Sequence, residues 1–329
     1  MRVLFVTNYR GAWEQNPSAG IFVERQAESL RAAGVDVDFF DLGRSHSPIA
    51  LGRRLLELRG EIRRSAPDLL HAQYGTVVSF IAALTRHPLV ITFGGSDLIV
   101  GASVSRARIY LGIFLSNLAS LFAERIICVS EELRRALWWR RRGVMVIPRG
   151  VNLAHFQPGS RDEARQQLGW DSTRRIVLID GGRDPENKGL EIARRAIELV
   201  QRELPDTELV VIHGIPPHRV PLLLRAADAL VCASRQEGSP NIVKESLACA
   251  LPVVGVQVGD VPERLSGTEP GAVVERTPEA IARGLVPVLR ERRRSNGPEI
   301  VRQLSLEAIA SRIISVYEEV ARKEAPPHR

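Results

Sequence analysis

The alternation of short apolar runs with longer amphipathic stretches is the feature that most constrains the fold of this chain. In stretches such as IFVERQAESLRAAG and GLEIARRAIELVQREL, apolar residues recur at about every third or fourth position, which is typical of helices. Strands and helices therefore alternate, and this favours βαβ units with a parallel sheet covered on both faces. The predicted strands are residues 2–8, 35–42, 68–73, 89–93, 125–130, 144–148, 175–180, 208–214, 229–234 and 252–258.

This alternation starts twice along the chain. One series ends at residue 148 and the next begins near Arg174, with turn residues and one short helical pattern between them, as expected of a linker. We predict an α/β fold of two facing, Rossmann-like, doubly wound domains, 1–148 and 149–304, with a deep cleft between them. The last segment, 305–329, is predicted to form a helix that packs back toward the first domain. Ligands of such sheets bind outside the carboxyl ends of the strands, so the loops there hold the candidate site.

Composition excludes disordered, fibrous and membrane-spanning proteins. The chain has 329 residues, of which 44% are hydrophobic and 25% charged, as in ordinary globular proteins. Its most apolar stretch, 109–122, is interrupted by Ser116 and Asn117 and is predicted to be a buried helix. The N-terminal MRVLFVTNYRG is predicted to be a first strand and not a signal peptide. Reduced, buried thiols and a cytosolic location are expected from three widely spaced cysteines in apolar runs: Cys128, Cys232 and Cys249.

Arginine makes the chain basic, with a net charge of +7. Such an excess either covers solvated helices or attracts anions. The segment RRALWWRRRG, from Arg134 to Gly143, sets Trp138 and Trp139 among five arginines. It is interpreted either as an amphipathic helix on an anionic membrane, through Arg134–Arg142, or as a solvated helix with inward tryptophans. No nucleic-acid partner is expected, since the sequence contains no base-reading module or stacking platform.

The segment EGSPNIVKE (237–245) combines features of an anion site. It follows the predicted strand 229–234, and Pro240 is well suited to the first turn of a helix, with Ser239 as its N-cap. The N–H groups of that turn and the positive end of the helix dipole would meet at the carboxyl edge of the sheet. These N–H groups belong to Asn241, Ile242 and Val243.

Two glutamates bracket this turn. Glu245 lies one helical turn after Asn241, where its carboxylate can accept paired hydrogen bonds from vicinal hydroxyls such as those of a ribose. Glu237 precedes the helix and would face another hydroxyl-bearing group on the far side of the same phosphates. The alternative is a helix-start acid at Glu237 and a surface-facing Glu245.

The loop GGRDPENKG (181–189) follows the strand 175–180. Gly182 and its neighbour allow a tight backbone path, and Arg183 and Lys188 bring two cations to one loop. Two cations can neutralise a diphosphate without a metal, and the spacing differs from that of a phosphoryl-transfer P-loop. We find no Asp/His cluster typical of a metal site. The alternative is a polar loop with incidental charges.

The segment EGSPNIVKESLACALPVVGVQVGDVPERL resembles the donor-binding segment of the family 4 retaining glycosyltransferases, which have the two-domain GT-B fold. Glu237 and Glu245 match the family's pair of glutamates separated by seven residues. The resemblance implies that Glu237 faces the donor sugar, that Glu245 holds the ribose, and that Arg183 and Lys188 bind the diphosphate. The donor site would also include Gly238, Ser239, Pro240, Asn241, Ile242 and Gly182.

The resemblance covers nearly the whole chain but is weaker in the first half. RGVNLAHFQP resembles the interdomain segment of the family, with Arg149 in place of the usual asparagine. The polar loop within residues 8–34 resembles the family's first loop, where backbone near Gly20 approaches the donor phosphate or the acceptor. The alternative is a flexible surface loop.

Candidates for the acceptor or sugar side follow two strands of the first half. His71 in HAQYGT is either a polar contact for a sugar or a hydrogen-bonded structural histidine. Asp97 ends the segment TFGGSD, in which many relatives have a sugar-contacting histidine. This chain has Gly94 or Gly95 there, which bears on the identity of the sugar.

The resemblance implies a retaining glycosyltransferase that moves a sugar from a nucleotide-diphosphate sugar to a hydroxyl acceptor. The acceptor would be a glycan, a lipid-linked molecule or a small molecule, and no cofactor or metal is expected. The expected catalytic residues are Glu237, Arg183 and Lys188. Alternatives are a nucleotide-sugar epimerase, or a degenerate protein that binds nucleotide sugars or a membrane surface. The expected location is the cytoplasm, including the inner membrane face. The base, sugar, acceptor and linkage depend on residues outside the motifs, and the sequence does not specify the oligomeric state.

Overall fold

Two separate parallel sheets, one in each half of the chain, form the framework of the structure. The structure is a computed structural model that describes residues 1–9, 20–43, 47–99, 106–139, 143–182 and 184–324. Unit 1 consists of Met1–Gly150 and Leu306–Arg329, and unit 2 of Val151–Ser305. Every strand pairing described is parallel, which confirms the predicted α/β class.

Six strands form the sheet of unit 1. They are β1 (Arg2–Thr7), β2 (Asp36–Asp41), β3 (Leu69–Ala72), β4 (Leu89–Phe93), β5 (Arg125–Cys128) and β6 (Met145–Val146), in the order β2-β1-β3-β4-β5-β6. Strands β3 and β4 are buried along their whole length, as central parallel strands are. The helices are α1 (Ile21–Ala32), α2 (Pro48–Ser65), α3 (Thr76–Ala83), α4 (Arg106–Ser120), α5 (Glu131–Ala136) and the last helix of the chain, α14 (Leu306–Glu324). Helix α14 packs against α1 and β3.

Unit 2 contains a sheet of five strands. They are β7 (Arg175–Asp180), β8 (Thr207–Ile212), β9 (Ala229–Cys232), β10 (Val253–Val256) and β11 (Gly271–Val274), in the order β11-β10-β9-β7-β8. The helices are α6 (Arg161–Leu168), α7 (Pro185–Lys188), α8 (Leu190–Gln201), α9 (Val220–Ala226), α10 (Asn241–Ala248), α11 (Val261–Leu265), α12 (Pro278–Glu291) and α13 (Gly297–Val301). Two short 3₁₀ turns cover Pro217–Arg219 and Arg302–Leu304.

Each sheet reverses its winding direction once. The reversal lies between β1 and β3 in unit 1 and between β7 and β9 in unit 2. Because parallel crossovers are right-handed, such a reversal places helices on both faces and opens a crevice where the loops diverge. In unit 2 the diverging segments are those that follow β7 and β9, and these are the two segments that the sequence singles out.

All ten predicted strands are present, and their ends differ from the predicted ones by no more than two residues. Strand β11 was not predicted, because it is a short edge strand that pairs only with β10 and stays partly exposed. The predicted burial of residues 109–122 is wrong, since α4 exposes several large apolar side chains. All three cysteines are free and buried, as expected. None of the described helices is both long and apolar enough to cross a bilayer.

Candidate functional site

The loops after β7 and β9 are joined directly to each other in unit 2. The backbone N–H of Arg235 donates to the Asn187 carbonyl at 2.7 Å, and the Asn187 side-chain amide donates to the Gln236 carbonyl at 3.0 Å. Gly189 makes this approach possible: its φ is 74°, and a Cβ there would lie 2.2 Å from the Ala233 carbonyl oxygen. The described parts of the two loops are therefore hydrogen-bonded to each other at the switch point of the sheet.

Lys188 lies at the centre of this site. Its Nζ donates to Asp180 Oδ2 at 2.6 Å and to Glu237 Oε1 at 2.7 Å, and Ser234 Oγ donates to the same Glu237 oxygen at 3.0 Å. The Lys188 side chain is 19% exposed and that of Glu237 17%. Burial by itself lowers the pKa of Lys188, but the charges of Glu237 and Asp180 outweigh it and raise this pKa above its usual value. Lys188 is therefore a fixed cation at neutral pH.

Gly182 leaves room for the Lys188 side chain. A Cβ at Gly182 would lie 2.8 Å from Lys188 Cε, and its φ of 49° favours glycine. The Gly182 N–H donates to Asp180 Oδ1, and its carbonyl accepts from His213 Nδ1 at 2.9 Å. The adjacent candidate, Arg183, lies outside the described residues. A cavity of about 10 Å³, the size of one water molecule, lies beside Lys188, Glu237, Pro240 and Ile242.

Ser239 does not cap the helix that follows it, and the prediction of an N-cap there is wrong. Pro240 is the N-cap residue of α10, and the helix begins at Asn241. Ser239 Oγ instead donates to Asp260 Oδ2 at 2.8 Å and accepts from Lys244 Nζ at 2.8 Å. These two partners lie 21 and five residues further along the chain, so tertiary contacts override the local capping preference.

The turn before α10 is held by charges that the sequence did not single out. Lys244 and Asp260 are both buried, and they meet at the hydroxyl of Ser239. Burial raises the pKa of Asp260, and the neighbouring charges of Lys244 and Arg264 oppose this rise. Close backbone packing also holds the turn before α10, because a Cβ at Gly259 would lie 2.5 Å from the Gly238 carbonyl oxygen. Asp260 follows β10 as Lys188 follows β7, so the same strand-end reasoning would have found it.

Further polar groups lie at the start of α10. The Asn241 side-chain oxygen is buried and has no hydrogen-bond partner among the described residues. Glu245 follows one turn later on the same helix and is partly buried. Helix α10 also presents first-turn N–H groups that have no acceptor within the helix. A cation, helix N–H groups and two carboxylates thus lie at one end of the sheet of unit 2.

In unit 1, Gly94 makes room for a guanidinium group. The group belongs to Arg149 and lies over the Phe22 ring, 3.4 Å from its centroid. A Cβ at Gly94 would lie 2.5 Å from Arg149 Nη2. The two departures from the family pattern, Gly94 and Arg149, are therefore linked. Phe22 belongs to the first turn of α1, which begins after Gly20 at a φ of 74°.

Asp97 organises the backbone around it. The residue is fully buried, and its carboxylate accepts from the N–H groups of Gly75, Gly94 and Gly95 at 2.7–3.2 Å. Burial raises the pKa of this carboxyl, although the three backbone donors oppose the rise. This geometry gives Asp97 a structural role in folding the turn after β4 and leaves its oxygens engaged by the backbone.

For His71 the geometry favours the structural alternative. The ring is fully buried, with Nε2 2.7 Å from Thr92 Oγ1 and Nδ1 2.6 Å from the Tyr317 hydroxyl. The Gln73 side-chain amide donates to Nδ1 at 3.2 Å, so Nδ1 accepts and Nε2 carries the proton. Burial lowers the pKa of His71 to about 3, and the imidazole is therefore neutral in the folded protein.

His71→Gln is expected to flatten the pH dependence of stability on the acidic side. The folded-state pKa of about 3 lies below the ordinary histidine pKa of about 6.5, so the unfolded chain binds more protons between these values. The stabilisation is present above about pH 6.5 and falls by up to about 1.4 kcal/mol per pH unit as the pH drops. The free energy of unfolding of wild type and variant, measured between about pH 7.5 and 5, checks this. His87→Gln, at a histidine of the same unit, is the control. A wild-type to variant difference that is constant with pH would contradict the prediction.

Among the described residues, no group of three or more His, Cys, Asp or Glu side chains is placed to hold a metal ion. Metal independence stays a prediction.

Comparison with known proteins gives matches in both units. Residues 19–155 match Glycosyltransferase Family 4, and residues 182–291 match Glycosyl transferases group 1. The chain is 25% identical to a protein named as the teichuronic acid biosynthesis glycosyltransferase TuaC of Bacillus subtilis (strain 168). This alignment covers 79% of the chain and 82% of TuaC.

Solved structures with the same fold include a sucrose-phosphate synthase from Thermosynechococcus elongatus, with a TM-score of 0.78 and 19% identity. The match covers 98% of this chain and 100% of the synthase. Anabaena HepE in complex with UDP matches with a TM-score of 0.74 and 16% identity, over 97% of this chain and 100% of HepE. These similarities show the GT-B fold.

Proposed function

This chain belongs to the family 4 glycosyltransferases, and we propose that it moves a sugar from a nucleoside-diphosphate sugar to a hydroxyl acceptor. The observation that carries the proposal is the fixed cation Lys188 beside the start of α10, at the switch point of unit 2. A cation and helix N–H groups at the carboxyl edge of a parallel sheet suit a diphosphate. The fold is shared with HepE, which was solved with UDP.

The leaving diphosphate would be stabilised by Lys188, by Arg183 and by the N–H groups at the start of α10. These donors act where negative charge develops in the transition state, and each such donor contributes about 3 kcal/mol to lowering the barrier. Asp180 and Glu237 hold the Lys188 ammonium in place before any ligand arrives, so little reorganisation is needed. The unpartnered oxygen of Asn241 and the carboxylate of Glu245 would accept hydrogen bonds from the nucleoside.

Transfer is proposed to retain the anomeric configuration. The bond between the anomeric carbon and the diphosphate oxygen breaks, and the acceptor oxygen bonds to the same face of that carbon. The acceptor proton passes to the departing diphosphate, so no protein base is required. Glu237 would orient the donor sugar, and Gly20 and Gly94 stay predictions for the donor-phosphate and acceptor side.

A degenerate, non-catalytic protein is less well supported than an enzyme. Glycine at positions 94 and 95 is the sequence feature that favours degeneracy, because many members of the family have a histidine in the matching segment. The guanidinium of Arg149 fills the space beside Gly94, so a cation lies where a side chain is missing. The Lys188–Glu237 pair is also intact.

A membrane contact through Arg134–Arg142 stays a prediction, but the described part of this segment does not form a helix that includes the tryptophans. Helix α5 ends at Ala136, before the two tryptophans, so both helical interpretations of the segment are wrong. Arg134 and Arg135 pair with Glu131 at 2.6 and 3.3 Å, and Arg140, Arg141 and Arg142 lie outside the described residues. The cytoplasm and the inner membrane face stay the proposed location.

Calorimetry with UDP, GDP and ADP, in the presence of a chelator, tests the donor site. We expect one nucleotide to bind with a Kd in the range of about 1 μM to 1 mM and Glu245→Ala to weaken it at least about tenfold, since paired hydrogen bonds to a carboxylate are lost. Glu198→Ala on the exposed face of α8 is the matched control. Absence of binding to all three, or equal binding by Glu245→Ala, would sink the proposal.

The reaction itself is followed by NMR on the nucleotide sugar whose base is identified in this way. Slow hydrolysis, with water as acceptor, should first release the sugar in the anomeric configuration of the donor. Release of the opposite anomer would exclude retention. Conversion of the donor to an epimeric nucleotide sugar would instead identify the enzyme as an epimerase.

A further inference from the structure

Helix α4 of unit 1 turns polar residues inward and large apolar residues outward. Its fully buried residues include Ser116, Asn117 and Ser120. Its outer face carries Tyr110, Leu111 and Phe114, which are 58%, 57% and 43% exposed. A helix that faces water shows the opposite arrangement.

Hydrogen bonds lock this orientation of α4. Ser116 Oγ donates to the Asp97 carbonyl at 2.8 Å and accepts from the Thr76 N–H at 2.7 Å. Asn117 Oδ1 accepts from the backbone N–H of Trp138 at 2.8 Å. Rotating the helix to hide its apolar face would break these buried bonds, and each unsatisfied group would be costly. Buried hydrogen bonds therefore keep the apolar face of α4 turned outward.

The apolar face continues beyond the helix. Trp138 lies beside Phe114, with ring centroids 6.4 Å apart, and Trp139 lies 5.7 Å from Trp138. The two tryptophans are 47% and 42% exposed, and Phe122, two residues after the helix, is 59% exposed. We call this the α4 surface: Tyr110, Leu111, Phe114, Phe122, Trp138 and Trp139. Contiguous apolar surface of this kind marks an interaction site.

The charge around this surface indicates its partner. Residues 98–143 contain eight arginines, three glutamates and neither aspartate nor lysine, so this segment holds most of the net charge of +7. Residues 98–123 contain no acidic residue at all, and Arg106 and Arg108 are exposed at the start of α4. A second copy of the chain would set like charges against each other. An anionic bilayer complements both the charge and the amphipathic aromatic side chains.

We propose that the α4 surface binds an anionic membrane, with its aromatic rings at the boundary between head groups and acyl chains and with the neighbouring Arg106 and Arg108 at the lipid phosphates. This inference rests on unit 1 and does not depend on the proposed donor chemistry. Membrane binding also accounts for the burial of serine and asparagine in α4, because a lipid-facing helix can place its large apolar residues outside.

Sedimentation of the full chain with vesicles tests the proposal. Wild type is expected to bind vesicles of phosphatidylcholine and phosphatidylglycerol and not vesicles of phosphatidylcholine alone. The double variant Phe114→Ser, Phe122→Ser should lose at least about tenfold in partition coefficient, because two apolar side chains no longer enter the interface. Arg106→Gln should lose roughly fivefold, and added salt should reduce binding.

The chain offers matched controls on another helix of the same unit. Ile49 and Leu56 on α2 are 86% and 67% exposed, and the double variant Ile49→Ser, Leu56→Ser should bind vesicles as wild type does. Equal loss in these controls, or wild type that stays in the supernatant with anionic vesicles, overturns the proposal. A dimer in light scattering that Phe114→Ser, Phe122→Ser converts to monomer, without vesicle binding, would assign the surface to a second copy.

Discussion

Lys188→Met is expected to lower kcat/KM for sugar transfer by about 10²- to 10³-fold, because removing one preorganised donor from developing charge costs about 3–4 kcal/mol. The ammonium group is held by two carboxylates at 2.6 and 2.7 Å, and its raised pKa keeps it charged at neutral and mildly alkaline pH. Rates of donor consumption, measured with wild type and variant over a range of nucleotide-sugar concentrations, give kcat and KM separately. KM should change less than kcat, since the interaction strengthens in the transition state.

The structural part of this loss can be separated from the chemical part. Without Lys188, Asp180 and Glu237 face each other as unpaired carboxylates, and we expect unit 2 to lose about 2 kcal/mol of stability. Asp180→Asn removes one of these charges, so the double variant Lys188→Met, Asp180→Asn should recover most of the stability. Activity should stay low in the double variant. Recovery of activity together with stability would show that Lys188 acts only by holding the fold.

The meeting of Lys188 and Glu237 could be predicted only in part from the sequence. Each residue follows a strongly apolar strand, so its place at the carboxyl edge of a sheet was predictable. That β7 and β9 are neighbours is a property of the strand order, which pairs Val177 with Ala229 across the chain. Asp180 was missed because it was interpreted only as the end of its strand. The strand order of the sheet, which the sequence did not predict, therefore decides that Lys188 meets Glu237.

Ser239 and α4 show why local patterns failed elsewhere. A serine before proline favours an N-cap, but Asp260 and Lys244, 21 and five residues further along the chain, bind its hydroxyl instead. The apolar run 109–122 predicted a buried helix, but it did not indicate that the serine and asparagine side chains of α4 would be the buried ones. Ser116 is turned inward by a carbonyl of the Asp97 turn, and this contact is invisible in local sequence.

Asp228→Asn is expected to destabilise unit 2 by about 3–5 kcal/mol, because it removes the shared anion of a buried charge cluster. The carboxylate is fully buried, and Arg161, Arg165 and Arg292 donate to it at 2.8, 2.6 and 3.2 Å. The Ile176 N–H also donates to it, at 2.8 Å. An asparagine amide would place N–H donors against these donors and leave three guanidinium groups without their counter-ion.

Amide hydrogen exchange is the measurement that separates this loss from the behaviour of unit 1, because it reports opening segment by segment. Protection in β7 and β9 should fall in Asp228→Asn, while β3 and β4 of unit 1 keep theirs. Asp206→Asn is the matched control, since Asp206 pairs with Arg175 but is 34% exposed, and it should lose no more than about 1 kcal/mol. Equal protection in the two variants would contradict the prediction.

The position of Asp228 links this loss of stability to the site. Asp228 directly precedes β9 and exchanges hydrogen bonds with Ile176 near the start of β7, accepting from its N–H and donating to its carbonyl. It therefore joins at their amino ends the two strands whose carboxyl ends carry Glu237 and Lys188. If that joint sets the spacing of the donor loops, Asp228→Asn should weaken nucleotide binding even under conditions where the protein stays folded. Asp206→Asn, at the start of β8, should leave nucleotide binding unchanged.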